Sequence, residues 1–221
     1  MRYAANLETL WQDQPLLDRF EAAHEADFTG VELPNPYEGD VQALRSQLLR
    51  FDLKMVMIAC PPPNYTGGIR GFAADPGAKD RFQRDFKRVL RYASILKPEF
   101  ILLLAGPDVG EGSEPCLIDN LSQASKMAPK QKLLFQLDDA SCIKNTDKAR
   151  AILEAVSAPN LGLMLSDVTG VDTPPAHIQI TSRNAARDTV CKQLGAMDYT
   201  GWVSAAYRDD APTEKSLAWR E

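Results

Sequence analysis

The sequence predicts a closed (β/α)8 TIM barrel. Eight short apolar segments alternate with stretches of helical spacing, and one of them, Phe100 to Leu104, is the uninterrupted apolar run of a strand buried on both faces. All the connections suit right-handed crossovers between parallel strands. An open doubly wound sheet has the same alternation, but no GxGxxG follows the first strand and no GxxxxGK[ST] occurs anywhere.

Each element has its own justification. Arg2 to Asn6 reads as the first strand, followed by a helix from about Gln14 in which Leu17, Phe20 and Ala23 or His24 recur at helical spacing. Phe28 to Leu33 is the second strand. Asp40 then suits an N-cap, with Val41, Leu44 and Leu48 as the apolar face of the next helix. Leu53 to Ile58 is the third strand, and a long loop rich in Pro and Gly runs from Cys60 to Phe72. The helix after it is the clearest in the chain, with Phe82, Phe86, Val89, Leu90, Ala93 and Leu96 on one stripe and Lys97-Pro98 as its end.

After the fourth strand, Gly106 to Ser113 forms a loop, and a helix runs through Leu117, Leu121 and Met127. The Gly110-Glu-Gly-Ser113 stretch reads as an ordinary flexible loop rather than a phosphate cradle. Lys132 to Asp139 is the fifth strand, and Thr146 or Asp147 caps a helix through Ala151, Ile152, Ala155 and Val156. Asn160 to Leu165 is the sixth. The alternation then breaks, because Pro174-Pro175 excludes a helix of normal length before the seventh strand, His177 to Ile180. A short helix over 184–194, an eighth strand from Gly201 to Tyr207 and a helical stub from Thr213 to Trp219 complete the barrel.

Composition narrows the function. With 221 residues, 44% of them hydrophobic, the chain can bury one good core, so a single domain over 1–221 is expected. The net charge is -5, and no basic run or basic-aromatic stripe could track a phosphate backbone, which argues against nucleic acid. No apolar run reaches membrane length, and MRYAANLETLW lacks the order of a signal peptide, so a soluble cytoplasmic protein with no membrane partner is expected. Cys60, Cys116, Cys142 and Cys191 are scattered without a CxxC pair, which disfavours a zinc site or a disulfide framework.

In a parallel barrel the chemistry sits where the strands end. The fifth strand brings Gln136 there. An amide cannot act as a base and holds a hard cation only weakly. Asp138 shares a face with Gln136 if the strand continues that far, which would make it a replacement acid; the alternative is an Asp bonding the backbone of its loop. Asn6 and Glu32, ending the first two strands, are candidates to satisfy each other inside the barrel.

A resemblance runs along nearly the whole chain. It lies in Tyr3 to Leu7, Gly30-Val-Glu32, Pro36-Tyr37, Arg70-Gly71, Pro76-Gly77, Ala105-Gly106, Asn120-Leu121 and Pro159-Asn160. It continues in His177-Ile-Gln179, Gly201-Trp202, Tyr207, Thr213-Glu214, Leu217 and Trp219. In their order and spacing these resemble the hydroxypyruvate isomerase branch of the xylose isomerase-like TIM barrels. The resemblance implies a divalent metal held by a Glu ending the fifth strand, an Asp ending the sixth, a Gln or His on the seventh and a Glu ending the eighth. It also implies that the two glutamates shuttle a proton through an enediol.

Carried over position by position, that pattern is incomplete. Gln136 stands at the first Glu position, Ser166 at the Asp position with Asp167 one residue on, and Ala206 at the second Glu position, while Gln179 is retained. A one-residue slip would aim Asp167 away from the mouth unless a bulge restored it. A carboxylate about 2 Å from a dication is attracted by on the order of 10 kcal/mol at an effective dielectric near 20, so losing two removes tight Mg²⁺ or Mn²⁺ binding. No catalytic residue, metal or cofactor is therefore expected. The loops after the fourth and seventh strands are also shorter than the family's, and Thr169 and Gly170 stand near where it has a His.

The expectation is a non-catalytic or redirected relative that binds a small anionic hydroxy-carbonyl ligand through Arg70, Gln136, Asp138, His177, Gln179 and Arg208, or binds a protein partner or a second copy of itself. Arg70 could grip a carboxylate or be a solvated loop charge; Arg208 could keep the mouth positive or form a surface ion pair. His177 reads as a hydrogen-bonded structural histidine before a catalytic one. The alternative is an isomerase, epimerase or lyase working by altered, metal-independent chemistry through Asp138 or His177.

Overall fold

The computed structural model describes residues 1–61, 71–168, 171–181, 186–208 and 217. Eight parallel strands close on themselves in sequence order, from β1 to β8 and back to β1. They are β1 Arg2–Asn6, β2 Gly30–Glu32, β3 Lys54–Cys60, β4 Phe100–Leu103, β5 Lys132–Gln136, β6 Leu161–Leu165, β7 His177–Ile180 and β8 Trp202–Ala205. Around them lie α1 Asp18–Glu25, α2 Val41–Arg50, α3 Lys79–Leu96, α4 Ser113–Met127, α5 Thr146–Val156 and α6 Ala186–Ala196. As Pro174-Pro175 required, the described residues between β6 and β7 contain no helix.

The helices start and stop for local reasons. Asp40 caps α2 by accepting from the Gln42 N–H at 2.8 Å. At α5 the expected cap moves by one residue: Asn145, not Thr146 or Asp147, accepts from the Lys148 N–H at 2.9 Å, because it is the residue with extended backbone. The first helix begins at Asp18 rather than near Gln14, since 11–17 run through bends and turns with Trp11 at a positive φ. Helix α3 buries Phe82, Phe86, Val89, Ala93 and Leu96 on one stripe and ends at Lys97 in a left-handed conformation just before Pro98.

Inside the barrel, alternation assigns the inward positions. Ala4, Phe100, Leu102, Leu134, Met164 and Trp202 form a separate inner apolar cluster with Val56, Met57 and Ala59 of β3. The outward residues pack in a second, larger core under the helices. Gly30 faces inward because a Cβ there would lie 2.8 Å from the Trp202 ring and 2.7 Å from Val56.

The N-terminal end of the barrel is closed by a knot of charge on that indole. Trp202 Nε1 donates to Glu99 at 2.7 Å, Lys132 donates to the other Glu99 oxygen at 2.9 Å, and the Arg2 guanidinium lies 4.3 Å from the indole centroid. Burial would push the Glu99 carboxyl up, but the bonds from Lys132 and Trp202 outweigh it and hold the group below its ordinary range.

At the other end two glycines touch. A Cβ on Gly71 would lie 2.4 Å from the Gly106 nitrogen, and one on Gly106 would lie 2.2 Å from the Gly71 oxygen; both have positive φ. Ala73 and Ala74 then donate to the carbonyls of Leu104 and Ala105, so the chain after the β3 loop is laid along the exit of β4.

Candidate functional site

A polar layer lies on the inner apolar cluster, near the C-terminal end of the barrel. Its centre is Glu32, which is fully buried. The β2–β3 register slips between Val31 and Glu32, where two residues of β3 stand opposite one of β2, and such a slip re-aims the side chain that follows it. One Glu32 oxygen lies 2.5 Å from His177 Nε2; the other accepts from Asn6 Nδ2 at 3.1 Å and Gln179 Nε2 at 2.7 Å. Ser204 Oγ lies 3.3 Å from His177 Nε2. Burial alone would raise the Glu32 carboxyl, but His177, Ser204 and Gln179 outweigh it and hold it below its ordinary value. The His177 ring is fully buried, tilted against Phe100, and its Nδ1 has no partner among the described residues.

Gln179 belongs to two environments. Through Nε2 it is part of this buried layer, and with Gln136 it lines a cavity of about 300 Å³ at the mouth, between the ends of β5, β6 and β7. Ser166, Asp167 and Thr181 supply the other polar groups of the lining, and Leu137, Met164 and Leu165 the apolar ones.

The sequence candidates divide accordingly. Gln136 and Gln179 come together in the cavity. His177 does not reach its described lining; it is a core residue one alternation below Gln179. Asp138 does not continue the Gln136 face, because β5 ends at Gln136. Its carboxylate accepts from the Ala140 N–H at 2.9 Å, while its own N–H donates to the Ile143 carbonyl, the geometry of an Asx-bonded turn. Arg208 is exposed beyond β8 and outside the described lining. Arg70, Thr169, Gly170 and all of the 213–219 stub except the buried Leu217 lie outside the described residues. Asp167 does line the cavity: β6 stops at Leu165, so alternation no longer governs it.

Asn6 and Glu32 meet as expected. Sequence reasoning missed that Glu32 also reaches His177 and Gln179, 145 and 147 residues away. The only signal for it was an acidic residue at an inward strand position, which burial obliges to find donors.

The divalent metal implied by the resemblance does not fit this lining. Gln136 and Gln179 are amides, with the Gln179 nitrogen turned to Glu32, Ser166 is a hydroxyl and Asp167 is the one described carboxylate of the lining. Among the described residues no three His, Cys, Asp or Glu side chains converge as a metal site. Hard cations select several anionic oxygens, and a single one is a poor site. The thiols offer no substitute: no disulfide joins the four cysteines, Cys60 and Cys116 are buried, and burial pushes the Cys116 and Cys142 thiols up. No helix among the described residues is long and apolar enough to cross a membrane.

A closed eight-stranded barrel with its polar cavity at the strand ends defines the class, and comparison with known proteins gives the family. Residues 20–184 match the xylose isomerase-like TIM barrel model, and the chain belongs to that family. Within it the chain is a homologue of hydroxypyruvate and 2-oxo-tetronate isomerases. It is 28% identical to the 2-oxo-tetronate isomerase of Pectobacterium atrosepticum, over 100% of this chain and 97% of that one. To the hydroxypyruvate isomerase of Escherichia coli K12 it is also 28% identical, over 100% and 98%, and to a putative hydroxypyruvate isomerase of Mus musculus 30%, over 99% and 94%. A crystal structure described as an AP endonuclease, family 2, from Brucella melitensis superposes with a TM-score of 0.90 at 27% identity, covering 99% of this chain and 97% of that one.

Proposed function

We propose that this chain is a redirected member of the family, which binds a small hydroxy-carbonyl compound in the cavity between Gln136 and Gln179 and does not carry out metal-dependent isomerisation. One observation carries the reading. At the positions where the resemblance places metal ligands and proton-transfer glutamates, the strand ends offer the amide of Gln136, the hydroxyl of Ser166, the amide of Gln179 and the methyl of Ala206. None of these can take a proton from carbon near neutral pH. Of the described carboxylates, Asp167 is the one that lines the cavity, and Glu32 is buried below it with its two oxygens already accepting three bonds.

The relatives bear on the ligand. Hydroxypyruvate and 2-oxo-tetronate, the compounds in their names, are short hydroxy-keto acids. A cavity of about 300 Å³ has room for a compound of three or four carbons. Gln136 and Gln179 suit its hydroxyl and carbonyl oxygens, and neither amide commits the site to a charge. The metal-free enzyme reading is not favoured, since its candidates are occupied elsewhere: Asp138 in a turn and His177 in the core.

The test is direct. Purified protein is incubated with hydroxypyruvate and added Mg²⁺ or Mn²⁺, and tartronate semialdehyde is followed against a buffer blank. We expect no conversion above the blank. Robust interconversion would overturn the reading.

A further inference from the structure

An amide at a binding site presents either a donor or an acceptor, and its other half decides which. Gln179 has that decision made for it from below. Its Nε2 lies 2.7 Å from Glu32 Oε2, and a carboxylate only accepts, so the nitrogen must face the core. The opposite assignment would set two oxygens against each other at hydrogen-bond distance inside the barrel. The carbonyl Oε1 is then the half left for the cavity that Gln179 lines. Glu32 is itself fixed, because His177 and Asn6 also hold its carboxylate and the β2–β3 slip aims its side chain.

Building on the proposed ligand binding, we propose that the Glu32–Gln179 hydrogen bond gives the mouth an acceptor where a donor would be needed to hold a carboxylate, and that the cavity therefore selects a neutral hydroxyketone over the keto acid of the same length. The rest of the described lining agrees. Gln136, Ser166 and Thr181 can donate or accept, so only Gln179 has its half decided, and no Lys, Arg or His is part of the described lining. Hydroxyls of a neutral ligand donate to the Gln179 oxygen, whereas a carboxylate brings only acceptors to it. Glu32 is in this sense a positioning residue: it touches no ligand and acts through Gln179.

Matched pairs of ligands test the idea, because each differs only by a hydroxymethyl group in place of a carboxylate. Dihydroxyacetone is compared with hydroxypyruvate, and erythrulose with 2-oxo-tetronate, by calorimetry or ligand-observed NMR on the full chain. The neutral member of each pair is expected to bind at least tenfold more tightly. In Gln179→Leu, which has no acceptor, that ratio should fall toward one. In Glu32→Gln the Gln179 amide is free to turn, and the ratio should narrow as well; should this variant not fold, the Leu variant decides alone.

Equal or tighter binding of the keto acids by the unaltered protein would overturn the charge selection and leave the binding reading standing. A neutral preference unchanged in Gln179→Leu would overturn the role of Gln179. If neither member of either pair binds at millimolar concentration, both this inference and the binding reading fall. Turnover of hydroxypyruvate in the isomerisation assay would sink the non-isomerase reading alone, with the binding ratio still judging this one.

Discussion

Glu32 and His177 are 145 residues apart in sequence and 2.5 Å apart across the top of the barrel core, both fully buried. Removing one partner of such a pair leaves an uncompensated polar or charged group in the interior, which costs about 3–5 kcal/mol. We predict that Glu32→Ala and His177→Ala each lose about that much stability in urea unfolding. Their effects should be strongly non-additive in the double variant.

The same pair sets a pH dependence at the acid end. The folded protein holds the Glu32 carboxyl below its ordinary value of 4.5, so the unfolded chain takes up the proton first as pH falls. The stabilisation is complete above that value and is lost as pH descends from it through the folded-state value. Urea midpoints measured from pH 7 to pH 3 should show this loss in the unaltered protein. Glu32→Gln, which cannot ionise, should lack that part of it.

The contact between Gly71 and Gly106 has no room for a methyl group. Gly71→Ala and Gly106→Ala each combine a positive φ with a sub-van der Waals approach to backbone atoms. Strain of this kind costs about 1–3 kcal/mol. A drop in the thermal midpoint is expected for both, with no recovery when Ala is replaced by the larger Ser.

Helix α5 distinguishes a cap from its neighbour. Asn145→Ala removes the acceptor for the Lys148 N–H and should cost about 1 kcal/mol. Thr146→Ala, at the first helical residue, should change the urea midpoint by only a few tenths of a kcal/mol.

Adding charge at the strand ends should create metal binding. Gln136→Glu with Ala206→Glu places two carboxylates there, and Asp167 lines the cavity with Gln136. Titration calorimetry with Mn²⁺ should show at least tenfold tighter binding for the double variant than for the unaltered chain. Equal affinities would contradict the proposal that the missing charge at these strand ends is what keeps a cation out.

The strands were legible because each is a short apolar run between turn residues, and β4 and β7 were placed within a residue of their observed ends. The missing helix before β7 was legible because two prolines forbid it. Less visible were features that depend on where a strand stops. Asp138 looked coplanar with Gln136 only while β5 was taken to continue, and Asp167 looked misdirected only while β6 was. Across the barrel, sequence alternation says which residues point inward but not which of them meet. The partnership of Glu32 with His177 and Gln179 depends on the stagger of eight strands and on a register slip that no local pattern announces.

The knot of Trp202, Glu99, Lys132 and Arg2 gives the molecule a stopper at one end. A solute that reaches Gln136 and Gln179 must come and go by the same door, because the channel behind them is filled by the side chains of Met164, Leu134, Phe100 and the indole. Substitutions in the stopper should therefore alter how firmly the barrel holds together while leaving the traffic of small molecules at the far rim untouched.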